Sequence, residues 1–353
     1  MKIWVNIALF VSLLICGSVV NKSALQAQET AGDQSAVILV YHRFGEDEYP
    51  STNIRLEQFE AQIEYLKAGG FTFLSLPEIT KRLAAKESLP ERTVAVTVDD
   101  AYASALSEGW PRLKAAGIPL TLFVSTGPVD QGVNGYLSWD EIRALQADGV
   151  VIGHHGKDHL HLPHAGLDAA KADLLEASER FKSELGAVPA FFAWPYGEHA
   201  PELTSMAQSQ GFTAGFAQIS GPAGFTSHRM ELPRFPVNEF YGGMDRFRLV
   251  ANTKSLPLGD ITPKNPWLSQ DSNPPLHGFT VTDPDINLNS MACYPSHISE
   301  PAVIERLPNQ RFEIRFDEPF PFGRSRINCT ARDRDGRWFW YGRLFIVPGG
   351  TLD

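Results

Sequence analysis

The stretch TVAVTVDDAY, residues 93–102, is a run of β-branched and small apolar residues that ends in two adjacent carboxylates. A continuous apolar run of this kind is typical of a strand in a buried parallel sheet. Neighbouring residues of a strand point to opposite faces, so Asp99 and Asp100 can divide two tasks, one binding a metal and the other acting as a base. A strand that ends in Asp can also simply cap the next helix, so the pair needs partners elsewhere in the chain.

Candidate partners lie in two further stretches. In GHHGKDH, residues 153–159, His155 and His159 are four positions apart and would share one face of a helical turn. Two imidazoles and one carboxylate suit a divalent metal that keeps positions open for water and substrate. The third stretch, FFAWPYG at residues 191–197, is another apolar run followed by Pro-Tyr-Gly.

These three motifs, in this order, resemble those of the polysaccharide deacetylase family, also called carbohydrate esterase family four or the NodB-homology fold. The resemblance covers roughly residues 37–250. It implies a distorted, incomplete (β/α) barrel of seven to eight strands, with the site at the carboxyl ends of the strands. The Tyr41-His42 strand end and the AWPYG motif look most similar to the branch that deacetylates poly-N-acetylglucosamine.

The resemblance implies that Asp100, His155 and His159 bind a metal. Zn²⁺ is the expected ion, since it accepts nitrogen and oxygen ligands in an open catalytic site. The same donor set also fits non-haem iron. Three more histidines crowd the loop and are alternative ligands: His154, His161 and His164.

The resemblance also assigns roles in hydrolysis. Asp99 is the implied general base, and the backbone N–H of Tyr196 is the implied donor to the oxyanion. The family usually places an arginine that pairs with the base two positions before its Pro-Tyr motif, where this chain has Ala193. Arg234 is the expected replacement, because a guanidinium can bind a carboxylate bidentately. A solvated loop arginine is the alternative reading of Arg234.

Two other departures concern the general acid and the ligand loop. The family's late Leu-x-His, the source of the general acid, is absent before residue 252. His42 after the first strand is the candidate replacement and His228 an alternative, although either can be structural or on the surface. Gly156 stands where the family usually has Ser or Thr, so a hydrogen bond that shapes the loop is expected to be missing.

Aromatic side chains suit the apolar faces of sugar rings. Tyr196 is expected in the substrate groove, and Trp194 is a further candidate for stacking on sugar. Trp139 is better explained by helix packing. The aromatic residues near the C-terminus are expected to form the core and partner face of a sandwich, with sugar binding as the alternative: Trp338, Trp340 and Tyr341.

The hydrophobic pattern divides the chain into four parts. Residues 1–27 read as a signal peptide. Between residues 36 and 251, strands alternate with helices about eight times, which by itself predicts a parallel α/β barrel. Residues 252–278 are rich in Pro, Asn and Ser and are predicted to be a linker. Residues 279–353 contain short alternating runs that predict a small all-β sandwich as an accessory domain.

Charge and cysteines indicate the compartment. Lys2 followed by an apolar run is typical of a secretory signal cleaved near Ala27, with an uncleaved anchor as the alternative. Cleavage would remove Cys16 and leave Cys293 and Cys329, an even pair that predicts one disulfide in an exported protein. The net charge of −10 argues against nucleic-acid binding.

The sequence therefore predicts a secreted or periplasmic, metal-dependent hydrolase. It would act as a monomer, contact the membrane only through its export signal, and remove N-acetyl groups from an N-acetylhexosamine polysaccharide. Exopolysaccharide, chitin-like polymer and peptidoglycan are the candidate substrates. The alternative is a non-catalytic carbohydrate-binding or matrix-assembly protein, in which Gly156 and Ala193 mark a degenerate esterase site.

Overall fold

The computed structural model describes residues 33–349 together with Met1. The predicted signal peptide at residues 1–27 therefore lies outside the described residues, Met1 apart. Within residues 33–349, no helix combines the length and the apolar character needed to cross a membrane.

A parallel sheet organises the first two thirds of the chain. Its strands, with the short strands that accompany them, are β1 (Ser35–Tyr41), β2 (Arg43–Phe44), β3 (Asn53–Ile54), β4 (Thr72–Phe73), β5 (Thr93–Val98), β6 (Leu120–Val124), β7 (Val151–His154), β8 (Phe191–Ala193), β9 (Ala214–Phe216), β10 (Ala223–Gly224) and β11 (Phe235–Pro236). The helices are α1 (Leu56–Ala68), α2 (Leu76–Ala85), α3 (Trp110–Ala115), α4 (Thr126–Asp130), α5 (Trp139–Ala147), α6 (Leu162–Ala165), α7 (Leu167–Leu185), α8 (Pro201–Ser209) and α9 (Met244–Ala251).

The sheet curls into an incomplete barrel. Seven parallel strands follow the order β11-β1-β5-β6-β7-β8-β9. A single bridge from Phe216 to Leu232 brings the last strand towards β11. Strand β5 is buried along its whole length, as its Val- and Thr-rich sequence predicts. The expected distorted α/β barrel of seven to eight strands is confirmed, and its carboxyl edge holds the motifs.

Two four-stranded sheets form the last third of the described chain. Their strands are β12 (Lys254–Ser255), β13 (Leu258–Thr262), β14 (His277–Val281), β15 (Asn287–Pro295), β16 (Val303–Leu307), β17 (Arg311–Arg315), β18 (Gly323–Arg332) and β19 (Trp338–Val347). One sheet has the order β12-β19-β18-β15 and the other β13-β14-β17-β16. A shared apolar core lies between them, so this part of the chain is the predicted β-rich unit.

The segment predicted as a linker, residues 252–278, differs in the structure. It contains β12 and β13, and its Leu258 and Leu268 are buried in the sandwich core. Its composition is misleading because the strands are short and the Pro-, Asn- and Ser-rich stretch, residues 263–276, connects β13 to β14. We therefore propose that the accessory domain begins near Lys254, while the division into domains itself remains a proposal.

The sandwich packs closely against the barrel. A Cβ atom at Gly342 would lie 2.1 Å from the backbone oxygen of Ser220, so only glycine allows this approach. Nη1 of Arg343 lies 3.5 Å from Oε2 of Glu231, a residue of the barrel part of the chain before β11. The Trp340 ring meets Phe235 of β11 edge-on. These contacts fix one face of the sandwich beside the carboxyl edge of the barrel.

Cys293 and Cys329 are bonded, as the even cysteine pair predicts. They lie directly opposite each other on β15 and β18 and are 36 residues apart in sequence. We expect replacement of both cysteines by Ser to lower the free energy of unfolding by about 3–4 kcal/mol, because the bond restricts the unfolded chain. Denaturant unfolding under oxidising conditions measures this, and equal stability of the two proteins would contradict it.

Candidate active site

Three predicted ligands converge at the carboxyl edge of the barrel. Asp100 follows β5, His155 follows β7, and His159 lies in the loop after β7. The Nε2 atoms of His155 and His159 lie 3.4 and 3.3 Å from Oδ1 of Asp100. One ligand atom from each residue lies within 4.8 Å of the others, so the three can hold one ion.

The donor set fits a divalent metal on its own chemistry. The Oδ1 atom of Asp100 is buried and lacks a hydrogen-bond partner among the described residues. Nδ1 of His155 contacts the backbone oxygen of Ala193 at 2.7 Å, so Nδ1 carries the proton and Nε2 presents its lone pair. Burial lowers the pKa of His159 to about 4, which leaves this imidazole neutral at pH 7.

Four residues with a strained backbone lie at this site. Asp100, Ala101, His159 and Tyr196 have φ values of 73°, 63°, 52° and 58°, a region that residues with a side chain rarely occupy. Each such residue costs roughly 1–3 kcal/mol and persists where the surroundings enforce it, commonly at functional sites. No pattern in the sequence identified Ala101, because an alanine carries no chemical signal of its own.

Asp99 pairs with Arg234. Nη1 and Nη2 of Arg234 donate to the two carboxylate oxygens of Asp99, each at 2.7 Å, and both side chains are buried. Arg234 also donates to Thr97 and to the backbone oxygen of Ala217, so its donors are well satisfied. Burial acts to raise the pKa of Asp99, but the charge and hydrogen bonds of Arg234 outweigh it and hold the pKa below its usual value. The alternative of a solvated loop arginine is wrong.

The loop that carries the histidines is held by Asp173, a residue that the sequence analysis did not select. Its carboxylate oxygens accept the backbone N–H groups of Lys157 and Asp158, both at 2.9 Å. A Cβ atom at Gly156 would lie 2.6 Å from the Asp173 carboxylate, and φ there is +78°. Gly156 is therefore required for this arrangement, in which Asp173 of α7 shapes the loop in place of the missing Ser or Thr hydroxyl.

We expect Asp173→Ala to weaken metal binding by about 10–100-fold, because residues that orient metal ligands typically contribute this much to affinity. Competition with a metal-binding dye measures the affinity. Asp168→Ala, at an exposed position of the same helix, is the matched control. Unchanged metal affinity in Asp173→Ala would show that the loop holds its shape without this carboxylate.

The other histidines named in the sequence analysis differ in their distance from the metal-ligand group. His42 lines the same cleft as the ligands, and its Nε2 lies 3.2 Å from Nε2 of Gln218. His228 is exposed and does not line that cleft. His154 is buried beneath the loop, where it accepts the N–H of Gly156.

Tyr196 lies between the ligand loop and the sandwich. Its ring stacks on His161 at 3.7 Å between centroids and meets His159 edge-on. His161 and His164 are not part of the metal-ligand group found among the described residues. Nδ1 of His161 instead contacts Glu198 at 3.0 Å. His161 therefore supports Tyr196.

The aromatic residues considered for sugar binding differ in accessibility. Trp194 is fully buried and donates to the backbone oxygen of Met230, so the expectation that it stacks on sugar is wrong. Its apolar ring fills the space beneath the Pro-Tyr-Gly turn. The sequence pattern cannot tell whether a Trp at this position is buried under the turn or exposed in the cleft. Trp139 packs edge-on against Phe181, as expected. Trp340 lines the cleft, whereas Tyr341 is part of the sandwich side.

A cleft with a volume of about 1040 Å³ contains the ligand group, Asp99, His42 and Tyr196. Two aromatic side chains that the sequence analysis missed stand at this cleft, Phe240 and Tyr241, which are 70% and 50% exposed. They lie in a loop after the last barrel strand, where the sequence has no helical or strand periodicity that would predict which face a side chain occupies. The cleft is large enough for more than one sugar unit, since ligand pockets commonly measure about 300–1,000 Å³.

Known proteins resemble this chain in sequence and in fold. Residues 86–215 match the family model of polysaccharide deacetylases. The putative polysaccharide deacetylase YxkH of Bacillus subtilis (strain 168) is 23% identical over 233 residues, which are 63% of this chain and 82% of that protein. The poly-beta-1,6-N-acetyl-D-glucosamine N-deacetylase of Staphylococcus aureus (strain MRSA252) is 25% identical over 238 residues, 59% of this chain and 80% of that protein.

Among solved structures, the Streptococcus pyogenes deacetylase PplD in complex with acetate is similar with a TM-score of 0.57 and 20% identity. The similarity covers 62% of this chain and 98% of PplD. The barrel and the convergent site thus define a hydrolase of the deacetylase class. The chain is thus similar to polysaccharide deacetylases in sequence over residues 86–215 and in fold over the barrel.

Proposed function

We propose that this protein is a metal-dependent enzyme that removes N-acetyl groups from an N-acetylhexosamine polysaccharide outside the cytoplasm and releases acetate. The observation that carries the proposal is that Asp99, which pairs with the buried Arg234, lines the same cleft as the ligand group of Asp100, His155 and His159. Secretion or export to the periplasm and a monomeric state belong to the same proposal.

Asp100, His155 and His159 would hold the ion, most simply Zn²⁺. A divalent metal in this place lowers the pKa of a water molecule and polarises the acetyl carbonyl. Asp99, kept ionised by Arg234, takes the proton from the attacking water. The backbone N–H of Tyr196 donates to the developing oxyanion, and His42 is the proposed proton donor to the departing amine.

Poly-β-1,6-N-acetylglucosamine is the first polymer to test, because the Staphylococcus aureus relative is named for it. Chitin-like polymers and peptidoglycan are the other candidates. The direct experiment measures acetate released from oligomers of each polymer by metal-loaded protein. Release that needs the metal supports the proposal, and absence of release from all three, with full metal occupancy, would favour the non-catalytic binding alternative.

We expect Arg234→Ala to retain metal and to lower kcat/KM by at least about tenfold. Loss of the guanidinium leaves Asp99 buried without its partner, so its pKa rises. Because the base acts in its ionised form, activity exists above that pKa, and the acidic limb of the pH profile moves to higher pH. Metal analysis and a pH series of kcat/KM measure both effects.

The variant Arg234→Lys tests whether a positive charge beside Asp99 is sufficient or whether the bidentate contact is also needed. It restores a positive charge without the bidentate contact, so we expect partial recovery only. Thermal unfolding of both variants accompanies the kinetics, because breaking a buried ion pair also costs about 3–5 kcal/mol. A folded Arg234→Ala protein with normal kcat/KM and an unshifted acidic limb would contradict the role given to Arg234.

A further inference from the structure

One wall of the cleft comes from the sandwich. Strand β18 contributes Arg324, Arg326 and Asn328, which are alternate residues and therefore lie on one face of the strand. The residues between them, Ser325 and Ile327, are buried in the sandwich. This register places two guanidinium groups at the cleft. All of β18 lies outside the segment, residues 86–215, that matches the family model.

Away from the metal-ligand group, the charged side chains that line the cleft are all positively charged. Arg246 of α9 lines the same cleft as Arg324 and Arg326. Among the described residues, the carboxylates that line the cleft are Asp99, which pairs with Arg234, and Asp100, which belongs to the ligand group. Away from that group, the charged side chains of the cleft are three cations, although the whole chain carries a net charge of −10.

The protein itself neutralises these cations poorly. Arg246 donates to the backbone oxygens of Pro236 and Tyr241, and its guanidinium forms no ion pair with the described residues. The carboxylate closest to Arg324 belongs to Glu198, 3.7 Å away, and it already contacts His161.

Arg326 is the least compensated of the three. Its guanidinium has no ion pair within residues 33–349, and burial and the charge of Arg324 lower its pKa. Burial also lowers the pKa of Arg246. Cations that are partly desolvated and unpaired are costly, and a bound anion removes that cost.

We propose that Arg324, Arg326 and Arg246 form a subsite for an anionic group, carboxylate or phosphate, on a sugar unit near the one that loses its acetyl group. The inference rests on the proposed function and narrows its substrate to an acidic N-acetylated polysaccharide. Guanidinium groups match the geometry of carboxylate and phosphate oxygens and bind them bidentately. The sandwich would then select the polymer while the barrel carries out the hydrolysis.

The test uses substrates that differ only in charge. The first is a hexasaccharide of alternating N-acetylglucosamine and glucuronic acid, and the second is the same hexasaccharide with its carboxyl groups reduced to alcohols. We expect metal-loaded wild-type protein to show a kcat/KM at least about tenfold higher on the acidic form, the size expected for one charge-assisted hydrogen bond. Added salt should reduce that preference.

Substitutions of the cleft arginines test whether these residues cause the preference for the acidic hexasaccharide. Arg324→Gln, Arg326→Gln and Arg246→Gln should each lower the ratio of acidic to reduced kcat/KM, and the triple variant should bring it close to one. Arg326→Lys keeps the charge and should retain part of the ratio. Arg332→Gln is the control, since Arg332 is on β18 but exposed and away from the cleft. Thermal unfolding checks that each variant is folded.

The outcomes are distinct. Equal rates of wild-type protein on both forms, together with no preference for a phosphodiester-linked N-acetylglucosamine oligomer over neutral hexamers, would overturn the subsite and leave the deacetylase proposal intact. A preference that survives in the folded triple variant would overturn the role of the arginines. Absence of acetate from every substrate, including neutral N-acetylglucosamine hexamers, would overturn both proposals. An oligomer of N-acetylglucosamine units joined by phosphodiesters distinguishes the anions, because a preference confined to it identifies phosphate.

Discussion

We expect His155→Ala and His159→Ala each to lose the bound metal and to reduce acetate release to background. Both histidines present Nε2 close to the buried Oδ1 of Asp100, and removing either leaves two protein ligands for the ion. Two ligands hold a divalent ion too weakly to survive dialysis, since catalytic zinc sites commonly use three. Metal analysis after gel filtration and an acetate assay measure the two effects.

His228→Ala is the matched control for this pair. It also removes an imidazole, but His228 is exposed and lies away from the cleft, so metal and activity should stay as in the wild type. Thermal unfolding establishes that the ligand variants are folded. Full metal occupancy in folded His155→Ala or His159→Ala would remove that residue from the ligand set.

We expect Asp99→Asn to keep the metal and to lose about 10²–10⁴-fold in kcat, the usual contribution of a general base. The amide has nearly the shape of the carboxylate but cannot take a proton from water. It also leaves Arg234 with one acceptor oxygen in place of two, so some loss of stability accompanies the kinetic effect.

The metal content of Asp99→Asn shows which of the two neighbouring carboxylates binds the ion and which acts as the base. Asp100→Asn is the companion variant, and we expect it to lose metal as well as activity, because Asp100 faces the two histidines. Should Asp99→Asn lose its metal while Asp100→Asn keeps it, the roles of ligand and base would have to be exchanged.

The sequence identified the features that depend on position along a strand. The apolar run before Asp99 predicted a buried central strand, and both aspartates lie at its carboxyl end. Arg234 was selected because Ala193 lacked the usual guanidinium, and the structure places it against Asp99. These inferences succeeded because alternation and strand order determine which residues share the carboxyl edge of a parallel sheet.

Features that depend on packing between distant elements were not predictable in this way. Asp173 lies in a helix whose pattern indicated only an amphipathic surface, yet its side chain holds the ligand loop. The arginines of β18 belong to no motif, so the sequence alone does not place them at the cleft. They lie in the cleft because the sandwich packs on the barrel. A linker at residues 252–278, as the sequence predicted, gave no reason to expect this packing.

The most direct test of the central claim is a metal titration of the stripped protein. After removal of metal with a chelator, Zn²⁺ is added in steps while acetate release from N-acetylglucosamine hexamers is measured. The account predicts no activity without metal, and activity that rises with added Zn²⁺ and levels off at one ion per chain. Full activity in the stripped protein, or none in protein that holds one ion per chain, would contradict it.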